Sequence, residues 1–376
     1  MLRSVLHTRT RVCVAALIVA GALTTGGGSV ANADTGLTPA LPGSAATLPA
    51  SIQGSPVAAS TLGVVIPPRP PAGTDLTRLS SSELDHYGLP QPPPLGSPQY
   101  SAWYKAMKSL KSFIDPQFAT TNLSHGPAPT SPSVSPGTPS HAGGNGGGCT
   151  DDYLYSVNWA GYQNLSCQAG NRFFKQAQAE WTIPTAYTPP DQGNRYSSMW
   201  SGLGSGSGEQ LLQTGIELAT YWSGGVSYYN VYPWWQSYPG TPENKITNFS
   251  VHIHDDMFAS VEDNGNGTFY YYLNDNTTGK GTGWILKSYG CNCTQAETIL
   301  ERDTVNGSLA KMTRIDPVNF VNDAAKYDTN QWNWMGDIPH QVISMWTSLP
   351  PGTGQDLVDT YPISGGNFTA TRTQNQ

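Results

Sequence analysis

The sequence predicts an all-β fold: a two-sheet antiparallel β-sandwich of jelly-roll or concanavalin-like type over residues 149–376, preceded by a mostly disordered segment. Three observations predict it. From Cys149 onward, runs rich in aromatic and β-branched residues recur: Tyr155–Tyr162, Gln178–Ile183, Leu211–Leu218, Phe249–Met257, Thr268–Leu273, Ala296–Glu301 and Val342–Thr347. Gly, Asn, Asp and Pro turns separate them, which is the rhythm of antiparallel strands. No strand–helix–strand alternation is visible, and the segment is long enough to bury a full two-sheet core.

The N-terminus has the three parts of a secretory signal. Arg3, Arg9 and Arg11 form a basic start, and Val12–Leu23 is an apolar run too short to span a bilayer comfortably. Ala31-Asn32-Ala33 offers a cleavage site, so residues 1–33 read as a signal peptide and the product as secreted and extracellular. An uncleaved membrane anchor is the alternative. No second spanning run follows, so no membrane association is expected after cleavage.

Residues 34–75 are Ala, Ser, Thr, Gly and Pro without an apolar period and read as unstructured. Ser80 and Glu83 then have capping-box spacing, and Gly88 is placed to stop the helix. Trp103, Met107, Leu110 and Ile114 recur on one helical face, with Lys105, Lys108 and Lys111 on the others, so 101–114 reads as a basic amphipathic helix. This block is too small for a core of its own and needs a surface to pack on. Residues 125–148 read as a Pro/Ser then Gly linker.

Charge is uneven. Residues 149–376 carry 11 Lys/Arg against 21 Asp/Glu, a net −10, and the remainder is +3, matching the −7 of the whole chain. Acid that protonates the carboxylates leaves few positive groups, so the self-repulsion that drives acid unfolding stays small. An ordinary acidic secreted surface explains the same numbers. Only 12% of residues are charged and Lys plus Arg number 19, which disfavours a nucleic-acid surface.

Once Cys13 leaves with the signal, Cys149, Cys167, Cys291 and Cys293 form an even set and read as disulfides. A Cys291–Cys293 bridge would close a very small ring, so pairing of each with Cys149 or Cys167 is the expectation. Zinc fits less well, because C-x-C lacks the usual spacer and no His lies close by in sequence.

Several catalytic signatures are absent: H-E-x-x-H, G-x-S-x-G, the P-loop and G-x-G-x-x-G. The alternating glycines of 202–208 suit a loop. His252 and His254 would share one face of a strand, but with no third ligand in view they read as solvated rather than metal-binding. What remains is a Gln and a Glu inside strand patterns. Leu211, Gln213 and Gly215 point one way along their strand, and Glu297, Ile299 and Glu301 share a face of another. Polar groups so placed must be hydrogen-bonded or functional. On pattern alone they read as satisfied polar residues at sheet edges.

A series of motifs in order changes that weighting. YSVNWAGY (155–162), AEWTIP (179–184), SMWSGLG (198–204), LLQTGIE (211–217), WWQSYPG (234–240), NDNTTGKG (274–281), AETILERD (296–303) and GGNFTATR (365–372) together span nearly all of 149–376. In that order they resemble the glutamic peptidases, or eqolisins, a family of secreted acid endopeptidases with a β-sandwich fold. The resemblance implies a catalytic pair at Gln213 and Glu301, with Glu297 the near miss. It implies substrate-groove positions at Trp159, Trp200 and Gln236, polypeptide substrates, no cofactor, no metal and a monomer. Three departures stand out: Gln236 replaces the family's Glu, Thr298 its Trp and Gly204 its Asp. The resemblance further implies a zymogen, with 34–124 as a propeptide whose basic helix docks on the acidic domain and loosens in acid. Two other readings remain open. The 11 Trp and 19 Tyr suit a non-catalytic carbohydrate-binding module, and Glu297 or Glu301 with a second carboxylate ~5–9.5 Å away suits a glycosidase.

Overall fold

Alternation along the long strands decides the architecture. In order they are β1 (Trp159–Leu165), β2 (Phe174–Thr182), β3 (Arg195–Gly204), β4 (Leu211–Ser223), β5 (Val226–Tyr238), β6 (Asp256–Asp263), β7 (Thr268–Asp275), β8 (Lys280–Lys287), β9 (Gln295–Glu301), β10 (Val318–Tyr327) and β11 (His340–Trp346). In the computed structural model one sheet runs β11–β1–β9–β3–β4–β5 and the other β10–β2–β6–β7–β8, with every neighbour antiparallel. Asp356–Thr360 and Phe368–Arg372 join the two by pairing with β11 and β10 respectively and with each other. Met199 and Leu203 of β3 and Leu212, Ile216 and Leu218 of β4 meet Ala177, Trp181, Met257 and Val261 in one apolar core between the sheets. The residues between them on β3 and β4 therefore face the outer side. This is the predicted sandwich.

The structure describes residues 37–44, 48–126, 130–132, 152–166, 173–205, 210–287, 290–349 and 353–373. The expected signal peptide, Cys149, Cys167 and most of the 125–148 linker lie outside the described residues. Thr38–Gln376 forms one compact unit. Among the described residues no helix is long and apolar enough to cross a membrane.

The segment before the sandwich differs from expectation. Its described part between 48 and 75, predicted to lack structure, carries a helical turn at Ala50–Gln53 and short strands at Ser55–Val57 and Val64–Val65. Ser55–Val57 pairs with Phe118–Thr120, and Val64–Val65 adds to the edge of β8. The composition is too polar to build a core, but strand addition supplies backbone hydrogen bonds, and Ile52 and Val64 are buried against the sandwich. Composition reports the absence of an internal core, not the absence of a host.

Helix α1 (Ser81–Tyr87) has the capping box at Ser80 and Glu83, and Gly88 takes the left-handed conformation at its end, as the spacing predicts. Helix α2 (Tyr100–Ser109) buries Trp103, Ala106 and Met107 against Phe258 of β6 and Tyr272 of β7, on the outer face of the second sheet. Lys105 bridges Asp256 at 2.7 Å and Glu180 at 3.3 Å. The Trp103 indole donates to the Pro90 carbonyl at 2.8 Å. Trp103→Ala should therefore weaken docking of this block by about 3–5 kcal/mol. Limited proteolysis would read it as faster cutting within residues 76–113; an unchanged cleavage rate would contradict this packing.

Three local expectations are corrected. His252 and His254 lie in a turn, not on a strand: the His252 amide donates to Asp255 at 2.6 Å, and His254 sits at φ 73°. Gly202 and Gly204 belong to β3 rather than to a loop. A Cβ at Gly202 would stand 2.5 Å from the Leu212 carbonyl and 3.0 Å from the Gln213 Cβ, so the missing side chain is what lets Gln213 lie there. Finally, Cys291 is bonded to Cys293, not to Cys149 or Cys167. Their Cα atoms stand 5.1 Å apart, within disulfide range, and the Thr294 amide donates to the Asn292 carbonyl at 2.7 Å in a tight turn centred on Cys293.

Candidate active site

The outer face of the first sheet is a platform built by register. β3 is its centre, with β4 on one side and β9 on the other. Gly202 pairs with Gln213 and with Glu297, Trp200 with Gly215 and Ile299, and Ser198 with Glu217 and Glu301. On β5, Gln236 pairs with Gln213, Trp234 with Gly215 and Tyr232 with Glu217. On β1, Trp159 pairs with Glu301. All these side chains share one face. Gly215 keeps it open: a Cβ there would meet the Trp200 Cβ at 2.6 Å.

Leu123-Ser124-His125-Gly126 crosses this platform. Leu123–Ser124 pairs antiparallel with Thr304–Val305, and Thr130–Pro132 further on pairs with Asp152–Ser156. Between them one peptide group lies against both expected catalytic residues. The Gln213 Nε2 donates to the His125 carbonyl at 2.9 Å, and the Gly126 amide donates to Glu301 Oε1 at 3.2 Å. Gln236 Oε1 accepts from the His125 amide at 2.8 Å and lies 3.4 Å from the Gln213 Nε2. The Asn158 side-chain amide donates to the Gly126 carbonyl at 2.8 Å and to Glu301 Oε1 at 3.1 Å. The linker expected from residue 125 thus begins with a histidine that is wholly buried.

Glu301 is itself fully buried, and its Oε2 accepts from the Trp200 indole at 2.7 Å. Burial pushes its pKa up to about 8; the nearby His125 charge and the Trp200 hydrogen bond oppose that rise, and Asp303 adds to it. Trp159 packs edge-on against Trp200 at 5.3 Å. Glu297 is buried too, but its Oε1 accepts from Gln163 at 2.5 Å and it touches no part of the 123–126 segment among its described contacts. Burial lifts it to about 7. Thr298 projects from the opposite face, its hydroxyl against Ser201 and Met335, so that departure lies in the sandwich interior. Gly204 leaves space beside Glu297, where a Cβ would stand 2.9 Å from its Oε1.

The His125 side chain fills an acidic pocket. Its Nε2 lies 2.8 Å from Glu243 and its Nδ1 3.1 Å from Asp303 and 3.2 Å from the Ser198 hydroxyl, which donates to Asp303 at 2.8 Å. The ring stacks on Trp234 at 3.8 Å. Burial works against a charge on it, but Asp303 and Glu243 outweigh that and hold its pKa up at about 10. His125, Glu217 and Asp303 place ligand atoms within 4.8 Å of one another. With both ring nitrogens already facing carboxylates, the arrangement is that of an imidazolium between acids.

Of the sequence-predicted residues, Gln213, Glu301, Trp200, Trp159 and Gln236 all meet on this face. Sequence reasoning missed His125, Asn158, Ser198, Glu217, Glu243 and Asp303. Asn158, Ser198, Glu217 and Asp303 stood inside the quoted motifs, and Glu217 four positions after Gln213 and Asp303 two positions after Glu301, each on the same face, were the signal available. Nothing local marked His125 or Glu243.

Residues 157–349, just over half of the chain, match the sequence model of the Peptidase A4 family. Among solved structures, a scytalidoglutamic peptidase with a peptide-based transition state analog is 19% identical, with 58% of this chain and 98% of that chain covered and a TM-score of 0.45. The aspergilloglutamic peptidase from Aspergillus niger is 21% identical over 48% of this chain and 99% of that one, with a TM-score of 0.40. Comparison with curated proteins finds no match.

Proposed function

Because the chain belongs to the Peptidase A4 family, we propose that it is a secreted acid endopeptidase that cuts polypeptides with Gln213 and Glu301 and is made as a zymogen. The observation that carries this reading is the shared peptide group. Gln213 donates to its carbonyl oxygen and Glu301 accepts from its nitrogen, so the pair brackets the two atoms on which hydrolysis acts.

The chemistry follows from the residue types. Glu301, ionised once the site opens to water, takes a proton from a water molecule as its oxygen attacks the carbonyl carbon. The Gln213 amide donates to the oxyanion that forms, and being an amide it does so at any pH. The carboxyl of Glu301 then returns the proton to the leaving nitrogen. Trp200 and Asn158 fix the carboxylate, while Gln236 and Asn158 hold the substrate backbone on either side of the bond. Metal and cofactor have no part in this scheme. The acidic pH range is supported by the composition of the domain, and the zymogen by the position of residues 123–126 over the pair. Trp159 and Trp200 wall the groove, Trp200 through its hydrogen bond to Glu301 and Trp159 by packing edge-on against Trp200.

The test is digestion of an unfolded protein at pH 3 to 5 by the purified chain and by Glu301→Gln. Cleavage by the parent and none by the variant is the expected result; equal cleavage by both would remove Glu301 from the mechanism.

A further inference from the structure

The pocket around His125 is overbuilt for a packing histidine. Three carboxylic acids from separate elements converge on it: Glu217 from β4, Asp303 just after β9, and Glu243 from the connection after β5. Glu301 Oε2 lies 3.8 Å from the same ring. Glu243 is held by the Thr121 hydroxyl at 2.8 Å and the Tyr232 hydroxyl at 3.0 Å, both donating to its Oε1, which leaves Oε2 for the ring. Glu217 is wholly buried, its carboxyl beside that of Asp303 and the Ser197 backbone amide. Lys245 lies over the Tyr232 ring at 4.1 Å, and Glu243 and Glu217 act on its charge. Buried acid groups in such excess are costly unless a cation enters among them.

The backbone on which this side chain is carried runs in the manner of a substrate. It is strand-paired before the bond with Thr304–Val305 and after it with Asp152–Ser156. His125 is the residue on the acyl side of the peptide group that Gln213 and Glu301 bracket. We propose that Glu217, Glu243 and Asp303 form a specificity pocket for a cationic side chain, His or Lys, on the acyl side of the bond to be cut, and that His125–Gly126 is the first bond so presented. This rests on the peptidase reading above and names its substrate class. Trp234 supplies the flat wall on which an imidazole stacks, and the carboxylates supply its counter-charge. In acid, where free histidine is protonated, the pocket receives the ion it is built for. The self-cleavage adds one water across the bond. Its hydroxyl joins the His125 carbonyl carbon, the C–N bond breaks, and the remaining proton goes to the Gly126 amine, with no electron transferred.

The test uses the full chain and a set of peptides identical except at the residue before the cut, which is His, Lys, Gln or Leu. His and Lys peptides should exceed the Leu peptide by about 100-fold in kcat/KM, because leaving buried polar groups unpaired is what rejects the apolar side chain. In Asp303→Asn and Glu243→Gln the ratio between His and Leu peptides should fall towards one. Intact-mass analysis of the acid-treated chain should show a product beginning at Gly126, and Glu301→Gln should stay whole. Equal cutting of all four peptides, or a first self-cut at a bond not preceded by a basic residue, would overturn the proposal while leaving the peptidase reading intact. An enzyme that cuts neither peptides nor unfolded protein would overturn both.

Discussion

Gln213→Ala should lower kcat on an unfolded-protein substrate by about 10²–10³-fold while KM stays close to that of the parent. In the proposed mechanism Gln213 donates to a carbonyl oxygen that becomes an oxyanion only as the reaction proceeds, so its contribution is greatest in the transition state. The loss corresponds to about 2.7–4 kcal/mol, the usual cost of one such donor. Glu301→Gln should be more severe, about 10⁴-fold, because in the proposed mechanism it removes both the base that activates water and the acid that protonates the leaving nitrogen. Glu297→Gln is the control of similar chemistry on the same strand. Its carboxylate answers to Gln163 rather than to the bracketed peptide, so its activity should remain within about tenfold of the parent. Steady-state kinetics on all three variants decides the matter. A Glu297 variant as inactive as the Glu301 variant would mean that the wrong carboxylate has been assigned.

The second large effect concerns pH and stability. Burial lifts Glu297 and Glu262 from 4.5 to about 7, Lys326 partly opposing the rise at Glu262. Burial, followed by the neighbouring Asp303, also raises Glu217 well above its ordinary value. Burial likewise raises Asp323, neither of whose oxygens has a hydrogen-bond partner. A carboxyl whose folded pKa lies above its unfolded value contributes stability that is fully present below the unfolded pKa and is lost as pH rises through the folded one. For Glu297 and Glu262 that window runs from 4.5 to about 7. Each shift is worth about 3 kcal/mol, so the two together rival half the stability of an ordinary protein. His125, raised to about 10, adds stability present below 6.5 and lost through about 10, which acts in the same direction at alkaline pH. The thermal midpoint should therefore fall by about 15 °C or more between pH 4 and pH 8. Calorimetry of the uncleaved Glu301→Gln chain across that range measures it, and adding Glu297→Gln should flatten the slope by removing one titration. A higher midpoint at pH 8 would refute this account. Resistance to acid thus comes from where the carboxylates are buried as well as from how few cations remain.

The sequence by itself determined what local physics can write down. Period-two alternation and turn chemistry settled the antiparallel sandwich, because one buried face per strand leaves little freedom in which residues point inward. The capping box at Ser80 and Glu83 and the apolar face through Trp103 and Met107 were legible for the same reason: each involves neighbours within a few residues. The ordered motifs group Gln213, Glu301, Trp159, Trp200 and Gln236 without reference to geometry.

Tertiary structure alone decided which partners those residues meet. Strand register places Glu297, not Glu301, level with Gln213 across Gly202, so pattern reasoning within the sheet would favour Glu297 over the proposed Glu301. A crossing segment from far earlier in the chain distinguishes them, since Gly126 donates to Glu301. The same segment defeated composition, which saw too few apolar residues for order and took His125 as the start of a linker. Its order is borrowed from the sandwich through edge pairing and through a pocket of acids brought from three separate elements. No local window contains such a pocket, because its charges are joined only by the fold.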